Sequence, residues 1–370
     1  MSYLGENNLF SFRDNFCEPI AGKSLNSASA AQFGRTMASE FNSAAIGCAD
    51  EKLKPLIFAV CSGIAECGGS VYMCENIDMP SFRHGFPLTG AKCGIYISGA
   101  DEPHFSFFNH NGFPVSSDKM KSIMQSEITF RKSVQSGKIT SISSFHEIYT
   151  SFLRENTLPD LLPVNAGISC GNRYVRRLWQ EFFTDSDDTL IFQVSDNGDH
   201  VNAYSSGLGF ISYDRLILAY CIMLWKNGQA VYLPEHFHYA ADETAQKYGY
   251  ELIRFDADKK YPDEAGKQRF LKDALFMCIK LSADRNKFTE LIKETPSFAS
   301  SVRQIPFDSP ENFNFGKSII EPSGRVIITA SGKNRLSLVA QSYDAETAAE
   351  LCSFWDNKLR RMGSCTNFFN

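Results

Sequence analysis

Several short stretches of this sequence place oxygen and nitrogen groups at spacings that chemistry can use. Thr329-Ala330-Ser331-Gly332-Lys333-Asn334-Arg335 lies between two strand-like runs, residues 325–328 and 336–340. A glycine-containing turn offers backbone N–H groups, and with the cations and hydroxyl beside it Ser331, Gly332, Lys333 and Arg335 form an anion-binding set that could hold a phosphate. An ordinary charged hairpin accounts for the same residues. Ser195-Asp196-Asn197-Gly198-Asp199-His200 follows the apolar run 192–194. Ser195, Asn197 and Asp199 offer polar oxygen atoms, and a polar turn after a strand accounts for them. His236 and His238 share one face if their stretch is a strand, but no third metal ligand accompanies them.

The elements that must carry these groups read as alternating strands and helices. Gly94-Ile95-Tyr96-Ile97-Ser98 predicts a buried strand that runs into a tight loop, Gly99-Ala100-Asp101-Glu102-Pro103. Residues 107–115 predict a strand and hairpin about Asn111-Gly112, because both residues tolerate positive φ. His104 and His110 flank that region, and either could enter a cleft beside the loop. Residues 30–38 have helical apolar spacing, and residues 56–60 through 73 read as helix, glycine turn and strand. Residues 164–168 followed by a helix over 174–183 open a second such unit. Residues 231–234, 240–248 and 251–254 open a third, and a helix over 345–361 closes the chain. Alternation of this kind predicts an α/β protein with doubly wound sheets.

Composition narrows the class. At 370 residues and 43% hydrophobic content the chain can bury sizeable cores and is too long for one ordinary domain. A net charge of −5 leaves no electrostatic footprint for nucleic acid. No run spans a bilayer, and residues 1–10 lack the basic and apolar regions of a signal peptide. The 11 cysteines are scattered through apparent strands and helices with no C-x-x-C pair. They read as buried reduced thiols, and the expected location is the cytoplasm. The 31 phenylalanines are read as core filling.

The order of these segments resembles the α-D-phosphohexomutases, the phosphoglucomutase, phosphomannomutase and phosphoglucosamine mutase enzymes. In that family the first loop reads G-I-x-I-T-A-S-H-N-P, and its serine carries the phosphoryl group; here Ser98 falls at the threonine, Ala100 at the phosphoserine and Asp101 at the histidine. Ser106 stands where the family has a lysine before two aromatics. The second loop, D-x-D-x-D-R, holds magnesium in the family, and its positions are occupied by Ser195, Asn197, Asp199 and His200; one carboxylate with two neutral oxygens should bind that ion poorly, and Asp196, between two of the positions, is not counted as a ligand. The sugar-binding loop, G-E-x-S-G-H, has its nearest counterpart in Pro262-Asp263-Glu264-Ala265-Gly266-Lys267, where Asp263 and Glu264 equally suit a solvated helix start. The phosphate loop, R-x-S-G-T-E-P, corresponds to residues 329–335, with Thr329 in place of the arginine.

The resemblance implies three tandem doubly wound α/β domains with mixed sheets around a cleft, plus a C-terminal α+β domain. Its expected bounds are 1–140 with the phosphoserine-loop equivalent, 141–228 with the metal loop, 229–295 with a shortened sugar loop and 296–370 with the phosphate loop. It implies an isomerase reaction of carbohydrate metabolism, intramolecular phosphoryl transfer on hexose phosphates with magnesium. Ala100 has no oxygen to phosphorylate, and Ser98 lies two residues away, a shift of roughly 6–7 Å along an extended strand. The expectation is therefore weak or absent mutase activity. The alternatives are a non-catalytic sugar-phosphate or phosphate binder and a protein-interaction scaffold on the same fold.

Overall fold

The computed structural model describes residues 10–13, 16–19, 26–99, 103–115, 123, 135–157, 163–184, 189–255, 263–307, 318–330 and 335–365. The chain divides into two compact units, Met1–Ile217 with Ala257–Phe288, and Leu218–Asp256 with Thr289–Asn370.

In the first unit, β1 (Phe10–Arg13), β2 (Phe16–Pro19), β3 (Ser43–Cys48), β4 (Ser70–Cys74), β5 (Cys93–Ser98), β6 (His104–Asn109) and β7 (Ile139–Ser141) form one sheet. Their order is β1-β2-β6-β5-β3-β4-β7. β3 pairs in parallel with β4 and β5, β7 runs parallel to β4, and β6 returns antiparallel beside β5. The strand expected at Gly94–Ser98 is thus present as β5, and it is buried on both faces as its unbroken apolar run requires. On one face Ile95 and Ile97 pack with Phe33, Met37, Ile57, Val60 and Ile64 of α1 (Ser27–Glu40) and α2 (Lys54–Glu66). On the other, Tyr96 packs with Phe82 and Phe86 from α3 (Met79–Gly85) and the turn after it, and with Phe145 of α4 (Phe145–Asn156). Phe82 and Phe86 stack at 5.2 Å, and Phe33 meets Phe105 at 5.1 Å. Phe33, Phe82, Phe86, Phe105, Phe107 and Phe108 fill the core of this unit, whereas Phe58 and Phe210 are exposed. The hairpin after β6 turns where Asn111-Gly112 predicts it, with Gly112 at φ +79° and Asn109 N–H donating to Phe113 O.

A second sheet is formed by β9 (Gly167–Ser169), β11 (Leu190–Val194), β12 (Val201–Ser205) and β13 (Gly209–Ile211), in the order β13-β12-β11-β9. β9 and β11 are parallel, and the other pairs antiparallel. The helix expected over 174–183 stops earlier, as α5 (Arg173–Gln180). Phe183 starts β10 (Phe183–Thr184), which pairs in parallel with β8 (Val164–Asn165), while its ring stacks on Trp179 at 5.6 Å and buries there. Burial of an aromatic ring in that corner outweighs one more helical turn. His146 of α4 lies 3.5 Å from the Asp78 carboxylate and 3.0 Å from that of Glu181, so α3 and the end of α5 are tied to one imidazole. α6 (Tyr213–Lys226) follows β13, and the chain passes into the second unit within it.

The second unit contains β14 (Tyr232–Pro234), α7 (Ala240–Lys247) and β15 (Ile253–Phe255), a single parallel βαβ unit. α8 (Asp263–Lys267) and α9 (Ala274–Ser282) belong to the first unit, and α10 (Arg285–Glu294) leads back to the second. There β16 (Ala299–Pro306), β17 (Ile319–Glu321), β18 (Gly324–Ala330) and β19 (Arg335–Ser342) form an antiparallel sheet, order β16-β19-β18-β17. α11 (Ala345–Cys365) lays Leu351, Cys352, Trp355 and Leu359 onto Val326, Ile328, Leu336, Leu338 and Ala340. This is the α+β arrangement expected of the C-terminal part. Among the described residues no helix is long and apolar enough to cross a membrane.

The expected strand at His236 and His238 is a turn, since β14 ends at Pro234. His236 is exposed, whereas His238 is buried, with its Nε2 at 3.1 Å from Ser342 O and its Nδ1 accepting from Ala240 N–H at 3.0 Å. One nitrogen donates and the other accepts, so this imidazole is a neutral structural group. Burial, opposed in part by backbone hydrogen bonds, pushes its pKa down to about 4.

Cys48, Cys61, Cys67, Cys74, Cys93, Cys170, Cys221, Cys278 and Cys352 are free, and every one of these except Cys67 is buried. Burial pushes the Cys48 thiol up to about 11 and those of Cys61 and Cys74 to about 12.

Two expected outcomes follow from this packing. α1 and α2 cross at glycines: a Cβ on Gly63 would lie 2.1 Å from Ala31 O, and one on Gly34 would lie 2.3 Å from Val60 O. Gly63→Ala gains about 1 kcal/mol of helix propensity but forces the two backbones apart, and a net loss of about 2 kcal/mol is expected in urea unfolding. For His238 the folded pKa lies below the unfolded value, so its burial contributes stability above about pH 6.5 that is lost as pH falls toward 4. His238→Gln should flatten the acid limb of the melting temperature against pH, measured by circular dichroism between pH 4 and 7.

Candidate functional site

Parallel pairing sends the chain out of a sheet at one edge. β3 and β5 are parallel, as are β9 and β11, and in the first unit the segments that follow all four strands line one cleft of about 850 Å³. The carboxyl ends of parallel strands are where open α/β sheets bind ligands. Asp50, Glu51 and Lys52 come from the turn after β3, Ser98 and Gly99 from the end of β5, and His104 from the start of β6. Asn172, Arg173 and Tyr174 open α5, and Asp196 and Asn197 follow β11.

Each lining group is held by local hydrogen bonds. Asp50 Oδ1 accepts Lys52 N–H at 2.9 Å and caps the short 3₁₀ turn Glu51–Leu53. Asn172 Oδ1 caps α5, accepting from Tyr174 N at 2.9 Å and Val175 N at 3.4 Å. Asp196, in the turn after β11, accepts Asn172 N–H at 3.0 Å. Its approach depends on Gly171, where a Cβ would lie 2.6 Å from the Asp196 oxygen. The Arg173 guanidinium donates to Tyr174 Oη at 2.9 Å and lies over its ring at 4.8 Å. Tyr96 is fixed by its hydroxyl donating to Ile77 O at 2.9 Å, and burial holds that phenol well above its usual pKa. The cleft therefore presents two cations, Lys52 and Arg173, among three carboxylates, Asp50, Glu51 and Asp196.

The structure brings Ser195, Asn197 and Asp199 together. The Ser195 hydroxyl lies 2.8 Å from Asn197 Oδ1 and 3.2 Å from Asp199 Oδ1, and it accepts His200 N–H at 3.1 Å. The three groups close on one another as a turn, with Asp199 the one carboxylate among them. They do not fit magnesium, whose charge needs more anionic oxygen than one carboxylate supplies. Among the described residues no group of three His, Cys, Asp or Glu is arranged to hold a metal. His200, at the position of the family's arginine, lies against Tyr213 at 4.3 Å.

The other sequence-derived candidates separate from this cleft or lie beyond description. Ala100, Asp101 and Glu102 fall outside the described residues, as do Ser331, Gly332, Lys333 and Asn334. Ser98 is half-buried, opposite His104 in register, at the cleft wall. His110 is exposed on the hairpin at the far end of β6, so of the two flanking histidines only His104 reaches the cleft. Asp263 is the first residue of α8, and Glu264 is exposed, 3.6 Å from Lys267. Gly266 and Lys267 of that helix line a different pocket. Arg335 is an exposed residue opening β19 in the second unit, opposite Pro306.

Asp50, Lys52, Asn172 and Arg173 escape the sequence reading. The signal that could have found them is position: each follows the end of a buried strand, and Asn172 stands as an N-cap before a helix. If the oxygen count is what bars a cation, restoring it should admit one. The double variant Ser195→Asp/Asn197→Asp, with Asp199, is expected to gain a magnesium-dependent rise in melting temperature, while the natural sequence shows none; equal response of the two proteins would refute this account.

No protein-family model matches the sequence, and no curated protein matches it. Solved structures do. A phosphoglucomutase/phosphomannomutase family protein of Burkholderia thailandensis superimposes with a TM-score of 0.70 at 13% identity, over 95% of this chain and 96% of that one. A Thermus thermophilus protein assigned as a phosphomannomutase gives 0.67 at 10% identity, over 92% and 97%. The Paramecium phosphoglucomutase parafusin, in its open form, gives 0.55 at 12% identity over 90% of each chain. Across nearly its whole length, the chain has the mixed α/β fold of the phosphohexomutases.

Proposed function

We propose that the cleft at the ends of β3, β5, β9 and β11 binds a phosphorylated hexose and does not move its phosphoryl group. Two kinds of group support the binding half of this reading. Lys52 and Arg173 can pair with phosphate oxygens, and Asp50, Glu51, Asp196 and Asn197 can accept the hydroxyl protons of a sugar. Similarity to phosphohexomutase folds supports the ligand class.

The observation that carries the second half is the closed turn at Ser195. Phosphoryl transfer is catalysed mainly by positioning and by neutralising charge on the transferred oxygens. Here the hydroxyl at position 195 is engaged with Asn197 and with Asp199, the one carboxylate of the three. The methyl group of Ala100 cannot take a phosphoryl group, and Ser98 belongs to a paired strand two residues earlier. The chain is in this reading a mutase-fold protein that recognises the family's ligands.

The test joins binding to turnover. Glucose 1-phosphate, mannose 1-phosphate and glucosamine 6-phosphate are titrated by calorimetry and thermal shift, with and without magnesium. The same sugars are then incubated with a bisphosphate primer. At least one sugar phosphate should bind and raise the melting temperature, Arg173→Ala should weaken it about tenfold, equal to 1.4 kcal/mol, and no isomerised product should form. Absence of any shift would refute the binding, and turnover would refute the lack of transfer.

A further inference from the structure

A second pocket in the first unit, of about 370 Å³, shares no lining residue with the cleft. It is walled by α3, the hairpin after β6, α8 and the 3₁₀ turn Arg269–Leu271 with the residues just after it. Asn111 of its rim lies beyond the far end of β6 from Ser98 and His104, and six residues of strand separate these ends by about 17 Å.

Its walls are cationic. Arg83, Arg269, Lys272 and Lys267 line it, and among the described lining residues Asp273 is the one carboxylate. Asp273 is already occupied, accepting from Tyr149 Oη at 2.7 Å, Arg269 Nε at 2.7 Å and Phe276 N–H at 2.9 Å. Three of the cations are fixed on aromatic faces. Arg83 lies over Phe108 at 4.9 Å, Lys272 over Phe113 at 4.5 Å and Arg269 over Phe152 at 3.9 Å. Arg83 Nε also donates to Gly112 O at 3.0 Å, and Lys272 Nζ to Asn111 O at 2.8 Å. Holding like charges side by side in a partly desolvated pocket is unfavourable, and the aromatic anchoring keeps them there. The repulsion is visible at Lys272, whose pKa burial lowers to about 8 with help from Arg83 and Arg269. His84 beside them is pushed down to about 4 by burial and then by Arg269, so at neutral pH it adds a polar neutral group.

We propose that this pocket is a binding site for a phosphate-type oxyanion, held by Arg83, Arg269 and Lys272 and independent of the cleft. A divalent tetrahedral anion matches cations that converge from different elements and are already immobilised, so little side-chain freedom is lost when it binds. Free inorganic phosphate and the phosphate group of a small metabolite share this chemistry. Size distinguishes them, and the open space beside Gly266, where an added Cβ meets Phe113 at an ordinary 3.6 Å, is where the remainder of a larger ligand would sit.

The experiment titrates the whole protein with inorganic phosphate, and in a second arm with glucose 1-phosphate, by calorimetry at constant ionic strength. Three variants accompany it. Lys272→Met removes one charge at similar volume, Gly266→Asp sets a carboxylate into the pocket without touching a cation, and Arg173→Ala alters the cleft alone. Phosphate should bind the natural protein and raise its melting temperature. Lys272→Met and Gly266→Asp should each weaken it at least tenfold, and Arg173→Ala should leave it unchanged. In the Arg173→Ala protein, where the cleft contributes least, retention of binding with inorganic phosphate but weaker binding of glucose 1-phosphate identifies the free anion as the ligand; the reverse order identifies a phosphorylated metabolite. No binding of phosphate, or equal binding by the natural protein, Lys272→Met and Gly266→Asp, overturns the proposal. Loss of binding in Arg173→Ala alone would also overturn it while leaving the cleft reading intact.

Discussion

Burial of β5 on both faces is the constraint on which the first unit depends. A strand in that position has no polar face to spare, so helices must cover it twice. α1 and α2 do so from one side through Phe33, Ile57, Val60 and Ile64, and α3 and α4 from the other through Phe82 and Phe145. The first pair reaches the required closeness by crossing at Gly34 and Gly63. With β5 fixed between β3 and β6, its last residue, Ser98, can leave the sheet at one place. The cleft is a consequence of that register, because the strands of both sheets deliver their following turns to it.

Fold and chemistry rest on different residues in this chain. The backbone frame that in phosphohexomutases supports catalysis needs only apolar periodicity and turn residues, and these survive at 10–13% identity to the solved structures. Catalysis needs particular atoms. At position 100 the side chain is a methyl group, and at 195 and 197 neutral oxygens stand where carboxylates would balance a divalent cation. Ser195 turns the remaining oxygens inward, and the loop gains local hydrogen bonds where a metal site would have kept its lone pairs available. Fold likeness by itself decides neither ligand nor reaction, which depend on the atoms of the site.

Much of the frame was legible from the residues. The β-branched and aromatic run after Gly94, the Asn111-Gly112 turn and the apolar spacing of 30–38 each dictate local structure strongly, and each appears where expected. The grouping of Ser195, Asn197 and Asp199 was legible because a tight polar turn after a strand leaves few other arrangements. Phe183 was not, since its place in a strand depends on pairing with Val164, which local spacing does not reveal, while its ring stacks on Trp179. His238 read as a possible ligand because spacing cannot reveal that Ser342 O and Ala240 N–H occupy both its nitrogens. The basic pocket was invisible for the same reason: Arg83 lies far along the chain from Arg269 and Lys272, and aromatic faces assemble them.

The buried thiols have a consequence for how this protein meets reactive small molecules. A cysteine reacts as its thiolate, and burial both hides the sulfurs of Cys48, Cys61 and Cys74 and keeps them protonated. Electrophiles and peroxides thus find these three thiols unreactive while the chain is folded. The same sulfurs become nucleophiles as soon as a sheet opens, so alkylation kinetics at these positions act as an intrinsic clock for local unfolding, strand by strand, without any added label.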